Sequence, residues 1–312
     1  MAAAGSSRNK ARSIFFISYG FNVALNANVS VYFGFFIIFR GKHIQNVSRR
    51  VDLRLRKLRF HLSLRPRCCI FAYNNVIMAR NVAAVLAGGK GSRTGFGVPK
   101  QFVELCGRTV LERSVDAFEE NALISDIVIV SAADYVTHVE EMARRNAWTK
   151  LRAVVAGGKE RCDSTRAAIN ACPVGVDNIL FHDAARPLVS QRIINDVCTA
   201  LERYVAVSVA VPSTDSLIEV HDGKMCRPID RSCVWRAQTP QAFRHSVIAG
   251  AYRRASGDPH FFATDDCAVV MTYMPGAEIT VVPGEETNIK LTYADDAARI
   301  EDIIRRRAGK DI

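Results

Sequence analysis

From Asn81 onward, short β-branched runs alternate with stretches whose apolar residues recur at helical spacing, and this alternation limits the chain to a few architectures. Residues 82–86 read as a buried parallel strand that stops at a glycine cluster. Val110, Leu111, Val115 and Phe118 then share one helical face of 109–119, and a strand follows at 127–130. The same rhythm predicts helices at 135–145, 164–171, 190–203, 246–255 and 294–307, and strands at 153–155, 178–181, 206–211 and 278–282. Such alternation requires crossover connections, so the expected fold is α/β, a Rossmann-like, mainly parallel sheet with helices on both faces. Ligands of such sheets bind beyond the carboxyl ends of the strands. Residues 213–240 break the rhythm: strand-like runs at 217–220 and 225–229 flank Asp222-Gly223, a strong hairpin signal, and predict a protruding arm.

Residues 1–77 do not share this pattern, and the expected division is an extension at 1–77 and a domain at 78–312. Residues 13–39 carry no charge and are long enough to span a bilayer, but Asn22, Asn26 and Asn28 interrupt them. A membrane anchor, a plastid-type transit peptide and upstream sequence read from an early start codon are the three readings. The last is preferred, because Met78 stands just before the first strand of the domain.

The net charge of +11 comes from the N-terminal stretch: residues 1–80 hold 14 Lys and Arg against one acid, Asp52, leaving 28 bases and 30 acids in the remainder. Binding of nucleic acid or membrane by the domain is therefore not expected, since phosphate neutralisation needs clustered Lys and Arg. Nine cysteines, odd in number and irregularly spaced, argue for reduced thiols and a cytoplasmic location.

The turn after 82–86 carries the chemistry. It reads Ala87-Gly88-Gly89-Lys90-Gly91-Ser92-Arg93-Thr94-Gly95-Phe96-Gly97-Val98-Pro99-Lys100-Gln101. Glycines at a strand end let backbone N–H groups approach anionic oxygens, and Arg93 and Lys100 add fixed positive charge. That combination suits phosphoryl chemistry, where positioning and charge neutralisation do most of the catalysis. It is no Walker loop, since Lys100 lies between Pro99 and Gln101, and no dinucleotide fingerprint, which carries no Arg and Pro-Lys tail.

Two further strand-end motifs follow. Gly157-Gly158-Lys159-Glu160-Arg161-Cys162-Asp163-Ser164 opens a helix, where Ser164 also has the character of a cap. In His182-Asp183-Ala184-Ala185-Arg186-Pro187, an Asp facing a triphosphate suits Mg²⁺ or a ribose hydroxyl and Arg186 suits a phosphate, whereas an Asp–Arg pair that only pins the loop is the alternative.

The glycine string resembles the signature of the nucleotidyltransferase family that contains the 2-C-methyl-D-erythritol 4-phosphate and ribitol-5-phosphate cytidylyltransferases. The likeness extends over essentially all of the chain from Asn81. It implies a nucleotide-diphospho-sugar transferase type of fold, CTP and a polyol phosphate as substrates, and Mg²⁺ or another divalent cation. By the same resemblance Ala87, Gly88, Gly89, Gly91, Gly158, Arg161, Ser164 and Asp183 hold the nucleotide, Asp183 also serving the metal. Arg93 and Lys100 stabilise the transition state, and Arg231 and Lys290 orient the attacking phosphate. Arg186, Ser216, Thr239 and Thr264 line the acceptor pocket, His182 is structural, and the arm carries Arg231 across a homodimer.

Two acceptors remain open within that family. Asp230-Arg231, Trp235 and Gln238-Thr239-Pro240-Gln241 resemble the methylerythritol enzymes, and that acceptor is preferred; Ala87-Gly88-Gly89 resembles the ribitol-phosphate enzymes. A membrane- or nucleic-acid-binding protein with a degenerate enzyme domain is the rival class, disfavoured because no charged motif residue is missing.

Overall fold

The computed structural model describes the backbone of residues 18–24, 30–36 and 72–73 and, in full, residues 79–89, 96–259, 261 and 263–309. The chain divides into two units, Met1–Met78 and Ala79–Ile312. In the first, β1 (Ser18–Ala24), β2 (Ser30–Phe36) and β3 (Ala72–Tyr73) form an antiparallel sheet in that order. The anchor, transit-peptide and early-start readings concern residues that mostly lie outside those described. Among the described residues no helix is long and apolar enough to cross a membrane.

The second unit begins with β4 (Asn81–Ala87), a small hairpin of β5 (Glu104–Leu105) and β6 (Arg108–Thr109), α1 (Val110–Glu119) and β7 (Ile124–Ser131). It continues through α2 (Val136–Asn146), β8 (Leu151–Ala156), α3 (Arg161–Ala171), β9 (Asn178–Asp183), α4 (Gln191–Ala200) and β10 (Ala206–Pro212). The arm is β11 (Leu217–His221) and β12 (Lys224–Ile229); β13 (Trp235–Arg244), α5 (His245–Ala255), α6 (Asp266–Tyr273), β14 (Ile279–Pro283) and α7 (Ala294–Arg307) complete it.

Seven strands form one sheet in the order β14-β10-β13-β9-β4-β7-β8. Every neighbouring pair is parallel except those of β13, which runs against both β10 and β9. Period-two alternation fills both faces: Ala83, Val85 and Ala87 of β4 join one core with Leu111, Phe118, Met142 and Ile193, while Val82 and Ala84 join a second with Ala168, Ile248 and Val270. This is the α/β architecture expected, with helices on both faces.

The register brings three strand ends together, with Leu86 opposite Asp183, Ala87 opposite Ser131 and Ser131 opposite Ala156. The loops after β4, β8 and β9 therefore share one edge of the sheet. Local signals explain the flanking elements. Thr109 and Glu112 form a reciprocal capping box at the start of α1 (3.2 and 2.8 Å). In the arm, Asp222 and Gly223 both have positive φ (49° and 74°), as a tight two-residue hairpin turn requires.

Strand β13 is not predicted by the sequence pattern, since Arg-Ala-Gln-Thr-Pro-Gln lacks alternation and proline disfavours a central strand. The structure accommodates it with an irregularity: Ser208 faces Gln241 but Ala210 faces Ala237, so Gln238, Thr239 and Pro240 bulge opposite Val209. Pro240, which has no N–H for the ladder, falls within that bulge, behind a cis Thr239–Pro240 peptide. Helix α6 was also illegible, because its eight residues carry buried groups without a clear stripe.

Phe118 is fully buried and meets the His182 ring edge-on at 5.2 Å, joining the core to the strand end of the site. Phe118→Ala is expected to lower stability by about 3–5 kcal/mol, read as a fall in the urea midpoint; a midpoint unchanged from wild type would contradict this packing.

Candidate active site

The glycine turn is closed at its base by Gln101, a buried side chain whose Nε2 donates to Ala87 O at 2.9 Å across fourteen residues. Gln101 follows Lys100 in a 3₁₀ turn, so this bond also sets where Lys100 leaves the backbone. The Lys100 stem passes over Gly89: a Cβ added there would lie 3.7 Å from Lys100 Cε. Gly91 and Arg93 lie outside the described residues.

The turn after β8 is packed against the glycine turn by Ser164. Its hydroxyl would lie 2.5 Å from a Cβ at Gly157, closer than a side chain permits, and 3.2 Å from one at Gly88, a tight contact, so the approach of the two loops depends on glycine at Gly157 and is eased by glycine at Gly88. Ser164 is buried inside α3 and does not cap it; the cap is Glu160, in a reciprocal pair with Asp163. Gly158 is exposed in the turn before that cap.

Asp183, at the end of β9, is where the cations converge. Lys290 Nζ donates to its Oδ2 at 2.7 Å, and Arg161 Nε stands 3.6 Å from its Oδ1. The Asp183 side chain keeps 14% of its surface exposed. Burial alone would raise its pKa, but Lys290, Arg161 and Arg186 more than offset that and hold the carboxyl well below the usual carboxylate range.

Arg161 is itself anchored from behind by Asp266, which is fully buried: Arg161 Nη1 reaches Asp266 Oδ2 at 2.5 Å, and Thr165 and Tyr252 hydroxyls donate to Oδ1 at 2.8 and 2.7 Å. Burial would lower the Arg161 pKa, and Asp266 with Asp183 reverses this and raises it. Arg186 is held by carbonyls, donating from Nη1 to Asn288 O (2.7 Å) and from Nη2 to Ala237 O (3.3 Å), and burial lowers its pKa. Its Nε is buried and without a hydrogen-bond partner among the described residues.

His182 and Thr239 form the wall behind Asp183. His182 is fully buried, and because its Nε2 meets the Arg186 carbonyl at 3.0 Å, Nε2 carries the proton and Nδ1 accepts from the Thr239 hydroxyl at 3.0 Å. The same hydroxyl accepts from Asp183 N at 3.2 Å. Thr239 thus gives its one hydroxyl proton to His182 and uses an acceptor site on the Asp183 backbone. Burial pushes the His182 pKa down from 6.5 to about 4.

The remaining described candidates lie at the surface of the single chain. Ser216 and Thr264 are exposed, and Arg231, at the base of the arm, makes among the described residues one long contact, to Thr214 O (3.4 Å). Sequence reasoning passed over Gln101, Gln238, Asn288 and the anchoring role of Asp266. Their signal is burial of a polar residue beside a motif, which spacing alone does not reveal.

A phosphate-type glycine turn, a second loop locked to it, and one ionised carboxylate among cations at the carboxyl edge of a parallel sheet define a nucleotide-binding α/β transferase. Residues 81–306 match the family described as IspD: 2-C-methyl-D-erythritol 4-phosphate cytidylyltransferase. The chain is 43% identical over 233 residues to the 2-C-methyl-D-erythritol 4-phosphate cytidylyltransferase of Thermobifida fusca (strain YX), covering 72% of this chain and 94% of that protein. It is 35% identical to the bifunctional ribulose 5-phosphate reductase/CDP-ribitol pyrophosphorylase Bcs1 of Haemophilus influenzae, over 73% of this chain and 49% of that protein. Among solved structures, 4-diphosphocytidyl-2C-methyl-D-erythritol synthase from Anaerococcus prevotii DSM 20548 superposes with a TM-score of 0.66 at 26% identity, covering 74% of this chain and 98% of that one. The chain belongs to the 2-C-methyl-D-erythritol 4-phosphate cytidylyltransferase family.

The buried, neutral His182 has a pH consequence. Its pKa is lower in the folded chain than in the unfolded one, so its contribution is intact above pH 6.5 and is lost as pH falls from 6.5 toward about 4. Urea unfolding across that window should show a decline on the order of 3 kcal/mol from this group, and the slope should flatten in His182→Gln. An equal slope in both proteins would contradict the assignment.

Proposed function

We propose that the protein transfers CMP from CTP to 2-C-methyl-D-erythritol 4-phosphate, giving 4-diphosphocytidyl-2-C-methyl-D-erythritol and pyrophosphate. The observation that carries this reading is the family match over 81–306, the whole span on which the Asp183 cluster is built. An oxygen of the acceptor phosphate attacks the α-phosphorus in line. The bond to the β-phosphate bridging oxygen breaks, and its electron pair leaves with pyrophosphate. No protein nucleophile takes part.

The nucleotide is assigned to Ala87, Gly88, Gly89, Gly91, Gly158, Arg161, Ser164 and Asp183, and Arg93 and Lys100 to the charge that builds on the phosphates. The position of Lys100 over Gly89 supports that role. Lys290 and Arg231 are assigned to the acceptor phosphate, with Arg186, Ser216, Thr239 and Thr264 around the acceptor. The network described above favours an indirect part for Thr239, through Asp183 and His182.

Mg²⁺ fits this donor set. A nucleotide-borne Mg²⁺ takes one or two carboxylates and completes its shell with phosphates and water. Asp183, held ionised and partly accessible, is such a carboxylate, and no cluster of three or more His, Cys, Asp or Glu able to form a protein cage occurs among the described residues. When bound, the cation would neutralise phosphate charge.

Dimerisation through the arm is supported by its exposed apolar face. Ile218, Val220 and Met225 are 51%, 47% and 59% exposed, and Val220 pairs with Met225 across the hairpin. A homodimer would cover that face and carry Arg231 to the partner's site. Exposed thiols at Cys106, Cys226 and Cys233 suit a reducing compartment such as the cytoplasm. Ribitol 5-phosphate is the second acceptor reading, favoured by Ala87-Gly88-Gly89.

Pyrophosphate release measured with CTP and each polyol phosphate in turn should give turnover with the methylerythritol phosphate, and Lys100→Ala should cut it about 100- to 1000-fold without unfolding the protein. Turnover with ribitol 5-phosphate alone would overturn the acceptor, and full turnover in Lys100→Ala would overturn the role of Lys100. Sedimentation should show a dimer that Val220→Asp with Met225→Asp converts to monomer; an unchanged mass would contradict the arm interface.

A further inference from the structure

Of the groups that meet Asp183, Lys290 comes from the segment between β14 and α7, and its side chain is 41% exposed. A lysine on a loop is a mobile charge unless the backbone beneath it is fixed. One side chain of β13 does this. Gln238, 7% exposed, donates from Nε2 to Glu285 O at 2.8 Å, and its Oε1 accepts from Glu285 N (3.3 Å) and from Asn288 Nδ2 (3.2 Å). The primary amide thus pairs with the Glu285 backbone as a neighbouring strand would. Asn288, fully buried, also donates to Thr239 O at 2.9 Å, and its own carbonyl receives Arg186 Nη1.

The approach is built into the sequence at a second point. A Cβ at Gly284 would lie 2.3 Å from Gln238 Oε1, closer than any side chain permits, so the glycine is what lets the loop reach Gln238. Past Asn288 the chain runs two residues to Lys290, and Leu291 N then donates to Ala185 O at 2.8 Å. Lys290 is suspended between two fixed points, one of them set by Gln238.

We propose that Gln238 is a positioning residue of the transfer reaction: through Asn288 it fixes the backbone from which Lys290 acts, and the same clasp seats the Arg186 guanidinium. The proposal rests on the reading that Lys290 engages the acceptor phosphate. It explains why a glutamine is buried at the β13 bulge, where an apolar residue would fill the same space. A misplacement of about 1 Å at a reacting group costs on the order of 100-fold in rate, so a clasp of this kind acts on turnover more than on folding.

Gln238→Leu keeps the volume and removes all three bonds. In the full-length protein, hydrogen exchange of residues 284–292 should rise while exchange elsewhere is unchanged. Turnover should fall about 10- to 100-fold and the acceptor KM should rise, with CTP affinity by calorimetry within about twofold of wild type. Gly284→Ala, which pushes the clasp open without altering Gln238, should reproduce that split, and Gln238→Glu, which can still accept both N–H groups, should fall between. Unchanged turnover in both Gln238→Leu and Gly284→Ala, a loss of CTP affinity in step with the acceptor, or failure of both to fold would overturn the positioning role. Wild-type protein inactive with both acceptors would instead overturn the transfer reading, and the exchange difference would still decide the clasp.

Discussion

A carboxylate kept ionised in a largely enclosed position is the constraint around which the site is arranged. Asp183 would be driven toward its neutral form by burial alone, and the field of Lys290, Arg161 and Arg186 prevents it. Each cation is in turn secured by a different part of the fold: Arg161 by the buried Asp266 of α6, Arg186 by carbonyls of β13 and of the Lys290 loop, Lys290 by the clasp at Gln238. The charge pattern of the site is therefore a property of the whole sheet edge.

The antiparallel strand makes that convergence geometrically feasible. Six parallel strands ending at one edge would deliver only the loops that follow them. Because β13 runs the other way, its first residues lie at the same edge and bring Gln238 and Thr239 in beneath Asp183 and Lys290. The bulge opposite Val209 turns these polar side chains into the wall, and every one of Gln238, Thr239 and Gln241 finds partners there. The arm leads directly into this strand at Trp235, so the segment that meets a partner subunit in the proposed dimer is covalently continuous with the one that aligns the site.

Much of this was legible in the sequence, for physical reasons that differ by element. The parallel strands and the helices on either face announce themselves through hydrophobic period, and the arm through Asp222-Gly223, whose two positive φ values few other pairs adopt without strain. The loops were legible as glycine and charge at strand ends. Strand β13 was not, because a ladder with a bulge tolerates proline and polar residues that period-two reasoning rejects. Ser164 was read as a possible cap and is instead the spacer between two glycine loops, a role visible only once Gly88 and Gly157 are brought together. Likewise nothing in the spacing of Asp265-Asp266 tells which of the two is structural, whereas the fold buries Asp266 completely against Arg161.

In the proposed function, Asp183 is the group through which a divalent cation joins CTP to the protein. Calorimetric titration of CTP into wild type and Asp183→Asn, each with and without Mg²⁺, tests it most directly. Mg²⁺ should strengthen CTP binding to wild type and have little effect on the variant, whose uncompensated cations would still attract the triphosphate. An equal Mg²⁺ dependence in the two proteins would contradict the account.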